Sequence, residues 1–153
     1  MTPDSCVLDV GGEDSQLVEA LAPRGLDCLA VLDVSKAALE RARTRQGPAA
    51  QTPIWVEADA TREWFFRPMD IGHDRAVFHF LTTADDRHRY KQHLLETLKH
   101  GGSAIIATFA LDGPEKCSGL PVQRYLAGAT GRGTRPGLPV ARRESACPHD
   151  AVG

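Results

Sequence analysis

The stretch CVLDVGG, residues 6–12, decides the fold. A short apolar run interrupted by one aspartate and stopped by two glycines reads as a buried parallel strand ending in a tight turn. A helix is predicted next, over about 14–23. There Leu17, Val18, Leu21 and Ala22 form a one-sided apolar stripe, Asp14 or Ser15 stands at the capping position, and Gly25 closes the turn. The pattern then repeats. CLAVLDV (28–34) is a second strand, and Ser35 caps a helix through Arg45 that turns Ala37, Ala38, Leu39 and Ala42 inward and ends at Gly47 and Pro48. PIWVEAD (53–59) and MDIGHD (69–74) read as strands three and four. Residues 85–99 carry Tyr90, Leu94, Leu95 and Leu98 at helical spacing, Gly101 and Gly102 stop that helix, and SAIIATFA (103–110) is a fifth strand.

Strands alternating with helices through short turns predict an α/β core: a doubly wound, mostly parallel sheet with helices on both faces. Such a sheet binds ligands beyond the carboxyl ends of its strands, where strand order reverses. The composition agrees with one globular domain, at 153 residues, 42% hydrophobic and 25% charged. Eighteen Lys and Arg against twenty Asp and Glu leave no basic excess for a phosphate backbone, so nucleic acid is not expected as a partner. Cys6, Cys28, Cys117 and Cys147 are too sparse for a CxxC zinc site or a disulfide framework, which predicts a reducing compartment. With no apolar run near 18 residues and no signal-peptide start, the expectation is a cytoplasmic protein without a membrane span. Residues 1–126 form the core domain. Residues 127–153, whose only large apolar side chains are Leu138, Val140 and Val152, are expected to be an irregular Gly/Ala/Arg/Pro-rich tail.

Two constellations stand at the predicted rim. Asp9, Gly11, Gly12, Glu13, Asp14 and Ser15 surround the first turn, where small residues let backbone approach a ligand. The pattern is neither G-x-G-x-x-G nor a P-loop, and its two acids disfavour a pyrophosphate. Asp33, Asp59 and Asp74 then stand at or near the ends of the next three strands. Each is also read as a helix cap or turn former. Asp33 lies twenty-odd residues beyond the turn, where a carboxylate accepts both hydroxyls of an adenosine ribose.

These residues resemble the class I S-adenosylmethionine-dependent methyltransferases. VLDVGG resembles their motif I, VLDVS the acidic end of strand two and EAD the end of strand three, while HDRAVFHFL and LKHGGSAIIATFALDGPEKCSGLPVQRY resemble a small bacterial subgroup. The resemblance covers roughly residues 5–125 and implies a Rossmann-like sheet with S-adenosylmethionine as cofactor. It implies that Asp9, Gly11 and Gly12 approach the methionine portion, that Asp33 with Val34 binds the ribose, and that Asp59 and Ala60 contact adenine. Asp74, Arg75 and Ala76 would then flank the sulfonium. The chain departs from the family pattern at Glu13, where members carry Gly. It also reads as truncated: the segment that precedes strand one and the strand pair that completes the sheet are not in this sequence, and a shifted reading frame would account for the tail.

His79, between Phe78 and Phe80, is the preferred base candidate, with Asp74 beside it, because a methyl acceptor must shed a proton and imidazole has a suitable pKa. Its alternative is a packed histidine with one ring hydrogen bond. His73 and Arg75 are weighed with it. Phe78, Phe80, Phe109, Trp64 and Phe65 read either as walls of a dry acceptor pocket or as core. Cys117 and Ser118 fall in the loop after strand five, where family members bind acceptors, with Cys117 read as a surface thiol. Arg87, His88, Arg89, Lys91 and His93 run around their helix and form a solvated face. The expected activity is methyl transfer to a small-molecule or protein acceptor. The alternatives are an incompetent cofactor-binding or interaction module whose exposed sheet edge favours dimers, and a nicotinamide-dependent dehydrogenase, disfavoured by the missing third glycine.

Overall fold

The computed structural model describes residues 2–12, 16–62, 64, 66–75 and 77–126. The predicted tail, 127–153, lies outside the described residues, as do Glu13, Asp14, Ser15, Phe65 and Ala76. Five parallel strands form one sheet: β1 (Val7–Val10), β2 (Leu29–Asp33), β3 (Ile54–Glu57), β4 (Met69–Asp74) and β5 (Leu98–Ile106), in the order β3-β2-β1-β4-β5. This is the Rossmann-like α/β fold expected from the alternating pattern.

Period-two alternation along β1 and β2 divides the core. Val7, Leu29 and Val31 meet Val18 and Leu21 of α1 (Leu17–Leu21) and Leu39 of α2 (Lys36–Gln46) on one face. Leu8, Val10, Ala30 and Leu32 meet Tyr90 and Leu94 of α3 (Ala84–Thr97) on the other. The side chain of Ser35 accepts from Ala38 N, which makes it the predicted cap of α2, and Ala38, Leu39 and Ala42 are buried while Ala37 is exposed. Trp64 closes the α3 side, its Nε1 donating to Thr97 Oγ1 at 2.7 Å. No helix among the described residues is long and apolar enough to cross a membrane.

Three expectations are corrected. Gly101 and Gly102 do not end α3, which stops at Thr97 and passes straight into β5. The register jumps from Met69↔Leu98 to Ile71↔Ser103, so the intervening residues bulge out of the sheet. Gly101 has φ +82°, and a Cβ on Gly102 would lie 3.0–3.2 Å from three backbone oxygens, so the glycines serve that bulge. The fifth strand ends at Ile106 rather than 110, and a short hairpin follows, β6 (Lys116–Cys117) against β7 (Leu120–Pro121). The third correction concerns the thiols, since Cys6 and Cys28 are joined in a disulfide. They lie far apart in sequence but stand immediately before two neighbouring parallel strands, with Cα atoms 4.5 Å apart, so these cysteines are paired and give no sign of a reducing compartment.

Candidate functional site

The strand ends form a continuous rim. Ala58 N donates to Asp33 O (2.9 Å), Gly11 N to Leu32 O (2.7 Å) and Ala107 N to Asp74 O (2.7 Å), tying each departing loop to its neighbour. Between β1 and β4 the strand order reverses, the place where sheets of this kind bind ligands; here the loops after the two strands meet, with Val77 against Gly11.

On one side of that point stand β1, β2 and β3. Gly11 has φ +74°, and a Cβ there would sit 2.3 Å from Val77 Cγ2. A Cβ on Gly12 would meet Val31 Cγ1 at 2.5 Å. The turn is therefore held tight by packing on both sides, and only glycine fits it. Asp33 is 8% exposed, and its Oδ1 accepts Ser35 N at 2.8 Å, which orders the start of α2. Val34, next to it, is 70% exposed, an apolar side chain left on the rim. Asp59 Oδ1 accepts the backbone N (2.8 Å) and Oγ1 (2.7 Å) of Thr61, and Arg62 Nε lies 3.6 Å from Oδ2. The Thr61 amide, more than the other groups, holds the Asp59 carboxyl below its ordinary pKa, so it is ionised at neutral pH. Ala60 is buried beside it.

The other side is closed. Asp74 is 1% exposed: Oδ1 accepts Val77 N (2.8 Å), and Oδ2 accepts Phe78 N (3.0 Å) and Tyr90 Oη (2.5 Å). Burial raises its pKa to about 6 against these donors. These contacts tie the side chain to the Val77–Phe80 turn and to α3, while Arg75 is exposed. Phe78 packs between Tyr90 and Tyr125, with ring centroids 5.3 and 5.4 Å away. His79 is 2% exposed, flanked by Phe80 at 4.3 Å and Phe109 at 4.9 Å, and its Nε2 is buried with no hydrogen-bond partner. Desolvation lowers its pKa to about 4, so the ring is neutral at pH 7. Of the two readings of His79, the packed one describes its surroundings, without the ring hydrogen bond at Nε2. Phe109 and Cys117 are buried together under the hairpin, and Ser118 is exposed at its tip. Cys117 is thus not a surface thiol, and none of the described cysteines is free.

One pairing went unseen in the sequence. Asp9 and His73 are register partners on β1 and β4, and His73 Nδ1 lies 2.7 Å from Asp9 Oδ1. Burial opposes the imidazolium, but the hydrogen bond and charge of Asp9 outweigh it and raise the His73 pKa. Asp9 Oδ2 is buried without a partner, 3.3 Å from where a Gly12 Cβ would sit. Because β1 and β4 are adjacent in space but separated by two other strands in sequence, only the strand order could have revealed this pair. The basic residues of α3 form a solvated face only in part: His88 and Arg89 are exposed, with Arg89 paired to Asp86 (2.8 Å), whereas Arg87, Lys91 and His93 are half-buried, Arg87 Nη1 donating to Leu81 O (2.8 Å), Lys91 Nζ lying 5.4 Å from the Phe78 ring centroid and His93 packing on Trp64.

The pattern of the methyltransferase domain family matches residues 8–106. No curated protein matches the chain. Among solved structures, an S-adenosylmethionine-dependent methyltransferase from Clostridium acetobutylicum ATCC 824 superposes with TM-score 0.58 at 21% identity, over 64% of this chain and 40% of that one. The N-methyltransferase NodS from Bradyrhizobium japonicum WM9 gives 0.60 at 21% identity, over 69% and 58%. The glycopeptide N-methyltransferase MtfA with S-adenosyl-L-homocysteine gives 0.63 at 18%, over 82% and 55%. These likenesses establish the fold, and the matched region spans about half the length of those proteins.

Proposed function

The chain belongs to the methyltransferase domain family, in the class I S-adenosylmethionine-dependent superfamily, and on that premise we propose that it binds S-adenosylmethionine at the β1–β2–β3 rim and transfers the methyl group to a small-molecule or protein acceptor. The observation that carries the reading is the run of a glycine-only turn, Asp33 and Asp59 along adjacent strand ends. This donor set suits the group. Asp33 would accept the ribose hydroxyls with Val34 against the sugar, Asp59 and Ala60 would meet adenine, and Asp9, Gly11 and Gly12 would face the amino-acid end. The cofactor, when bound, supplies a methyl on a positively charged sulfur.

Arg75 and Ala76 would border that sulfonium. Asp74 is the positioning residue, since it fixes the turn that carries Phe78 and His79. His79, kept neutral by burial, is the base candidate of this reading; its Nε2 would meet an acceptor only once the Phe80–Phe109 wall moves aside, with Phe78, Phe109, Cys117 and Ser118 around the acceptor. The charge balance argues for an acceptor other than nucleic acid. Membership of the small bacterial subgroup and a cytoplasmic setting are part of the same proposal.

Calorimetric titration of the full chain with S-adenosylhomocysteine tests it. Binding that Asp33→Ala weakens ten-fold or more is expected; no heat and no thermal shift at millimolar ligand overturns it. The sealed β4 side favours a second reading, a module that binds cofactor without turnover and pairs through its sheet edge. A stable monomer that consumes S-adenosylmethionine excludes that reading.

A further inference from the structure

We propose that the Cys6–Cys28 disulfide is a redox-sensitive staple, opened and closed by thiol exchange, that sets how firmly the strand-turn-helix unit carrying the candidate cradle is held. The bridge joins the residues just before β1 and β2, at the amino ends of the two strands whose carboxyl ends bear Gly11 and Asp33. With a sequence separation of 22, the closed loop contains β1, the Gly11–Gly12 turn and α1, so the link constrains that unit as a whole. Cys6 sits in a three-strand junction: Val7 N donates to Cys28 O (2.9 Å), Asp70 N to Cys6 O (2.8 Å), and Cys6 N to Asp70 Oδ2 (2.7 Å). Asp70 Oδ2 is also 2.7 Å from Lys99 Nζ, so the thiol form of Cys6 would still be held in place and ready to close again.

The two cysteines differ in access. Cys6 is buried, whereas Cys28 is only partly buried and follows the exposed Asp27 in the coil 25–28. A small thiol would therefore attack at Cys28. Its thiolate forms a mixed disulfide there as the Cys6–Cys28 bond breaks, and Cys6 leaves as a thiolate that takes up a proton. A second thiol releases Cys28 and yields the small disulfide. In sum, two small thiols become one disulfide and the protein gains two thiols; a small disulfide drives the reverse.

Tryptic mapping of the full chain tests this, because Cys6 falls in peptide 1–24 and Cys28 in peptide 25–36. After glutathione disulfide the two peptides should be recovered linked, and after dithiothreitol separate. Reduction should lower the melting temperature by about 10 °C, the size expected when a loop of this length is released in a domain of this size. It should also speed amide exchange in residues 7–26 more than in β4. Cys6→Ser and Cys28→Ala should not respond to dithiothreitol at those amides, and in the Cys117→Ser background, where the bridge made by Cys117 is absent, reduction should keep both the exchange response and the drop in melting temperature. Failure to recover linked peptides overturns the proposal. So does an exchange response that survives in Cys28→Ala. Because the staple feeds the cradle only on the function proposed above, S-adenosylhomocysteine is added last: several-fold weaker binding on reduction is expected. No binding to either form would remove that function, leaving the staple to be judged on peptides and exchange.

Discussion

The two halves of the rim differ in what their aspartates face. On the β2–β3 side, the buried Asp33 and the more exposed Asp59 order the turns behind them while Val34 stays exposed on the rim. On the β4 side, Asp74 is swallowed by Val77, Phe78 and Tyr90, and His79 is walled by phenylalanines. The same residue type at equivalent strand ends is thus tied into the architecture on the β4 side, while on the β2–β3 side the proposed function gives it recognition. What sets Asp74 apart from Asp59 is Tyr90, whose hydroxyl reaches its carboxylate from α3 and closes it off.

The largest effect that would break this contrast is at Asp74. Asp74→Ala strands Tyr90 Oη and two backbone amides, and about 3 kcal/mol or more of stability should be lost in urea unfolding. Asp33→Ala removes the acceptor of Ser35 N at the start of α2, so it should cost less stability than Asp74→Ala and, in addition, the ten-fold in S-adenosylhomocysteine affinity, or about 1.4 kcal/mol. A reversal of these two outcomes would erase the distinction between the halves.

His79→Phe sharpens it further. The folded pKa of His79 is depressed to about 4 while the unfolded ring titrates near 6.5, so the unfolded chain binds the extra proton and stability falls as pH drops through that window. The variant should gain about 1 kcal/mol at pH 7 by removing a buried unpaired nitrogen, and should lose this acid-side decline in melting temperature. His73 carries the opposite sign. Its folded pKa is raised by Asp9, so its contribution is complete below the unfolded value and fades as pH rises through the folded one; His73→Gln should abolish that alkaline-side loss. Smallest of all is Arg62→Ala, which removes an exposed 3.6 Å contact to Asp59 and should change stability by less than about 0.5 kcal/mol.

Much of the fold was legible because local chemistry and global arrangement agree. MDIGHD coincides with β4, and Ser35 caps α2 as its place before the apolar stripe predicts. Reading failed where partners are distant in the chain. Asp9 and His73 meet across β1 and β4, and Cys6 reaches Cys28 because parallel neighbours begin side by side. Tyr90 was recognised as core, but periodicity carries no information about which carboxylate its hydroxyl will find. Gly101 and Gly102 misled for a different reason. A glycine pair after a helical stripe signals a stop, and the same pair also permits a strand to bulge where backbone oxygens crowd it. The rim aspartates were visible as a set, whereas what sets Asp74 apart among them depends on Tyr90.

The meeting of Gly11 with Val77 joins the two halves mechanically. One isopropyl group fills the space that any side chain at position 11 would need, so neither loop can advance unless the other retreats. A ligand that pressed on the glycine loop would push, through Val77, on the start of the Phe78–Phe80 turn, beside the Asp9–His73 bond that ties the two strands below. Trimming Val77 to alanine would keep the backbone bond from position 77 to Asp74 and remove this contact between the loops.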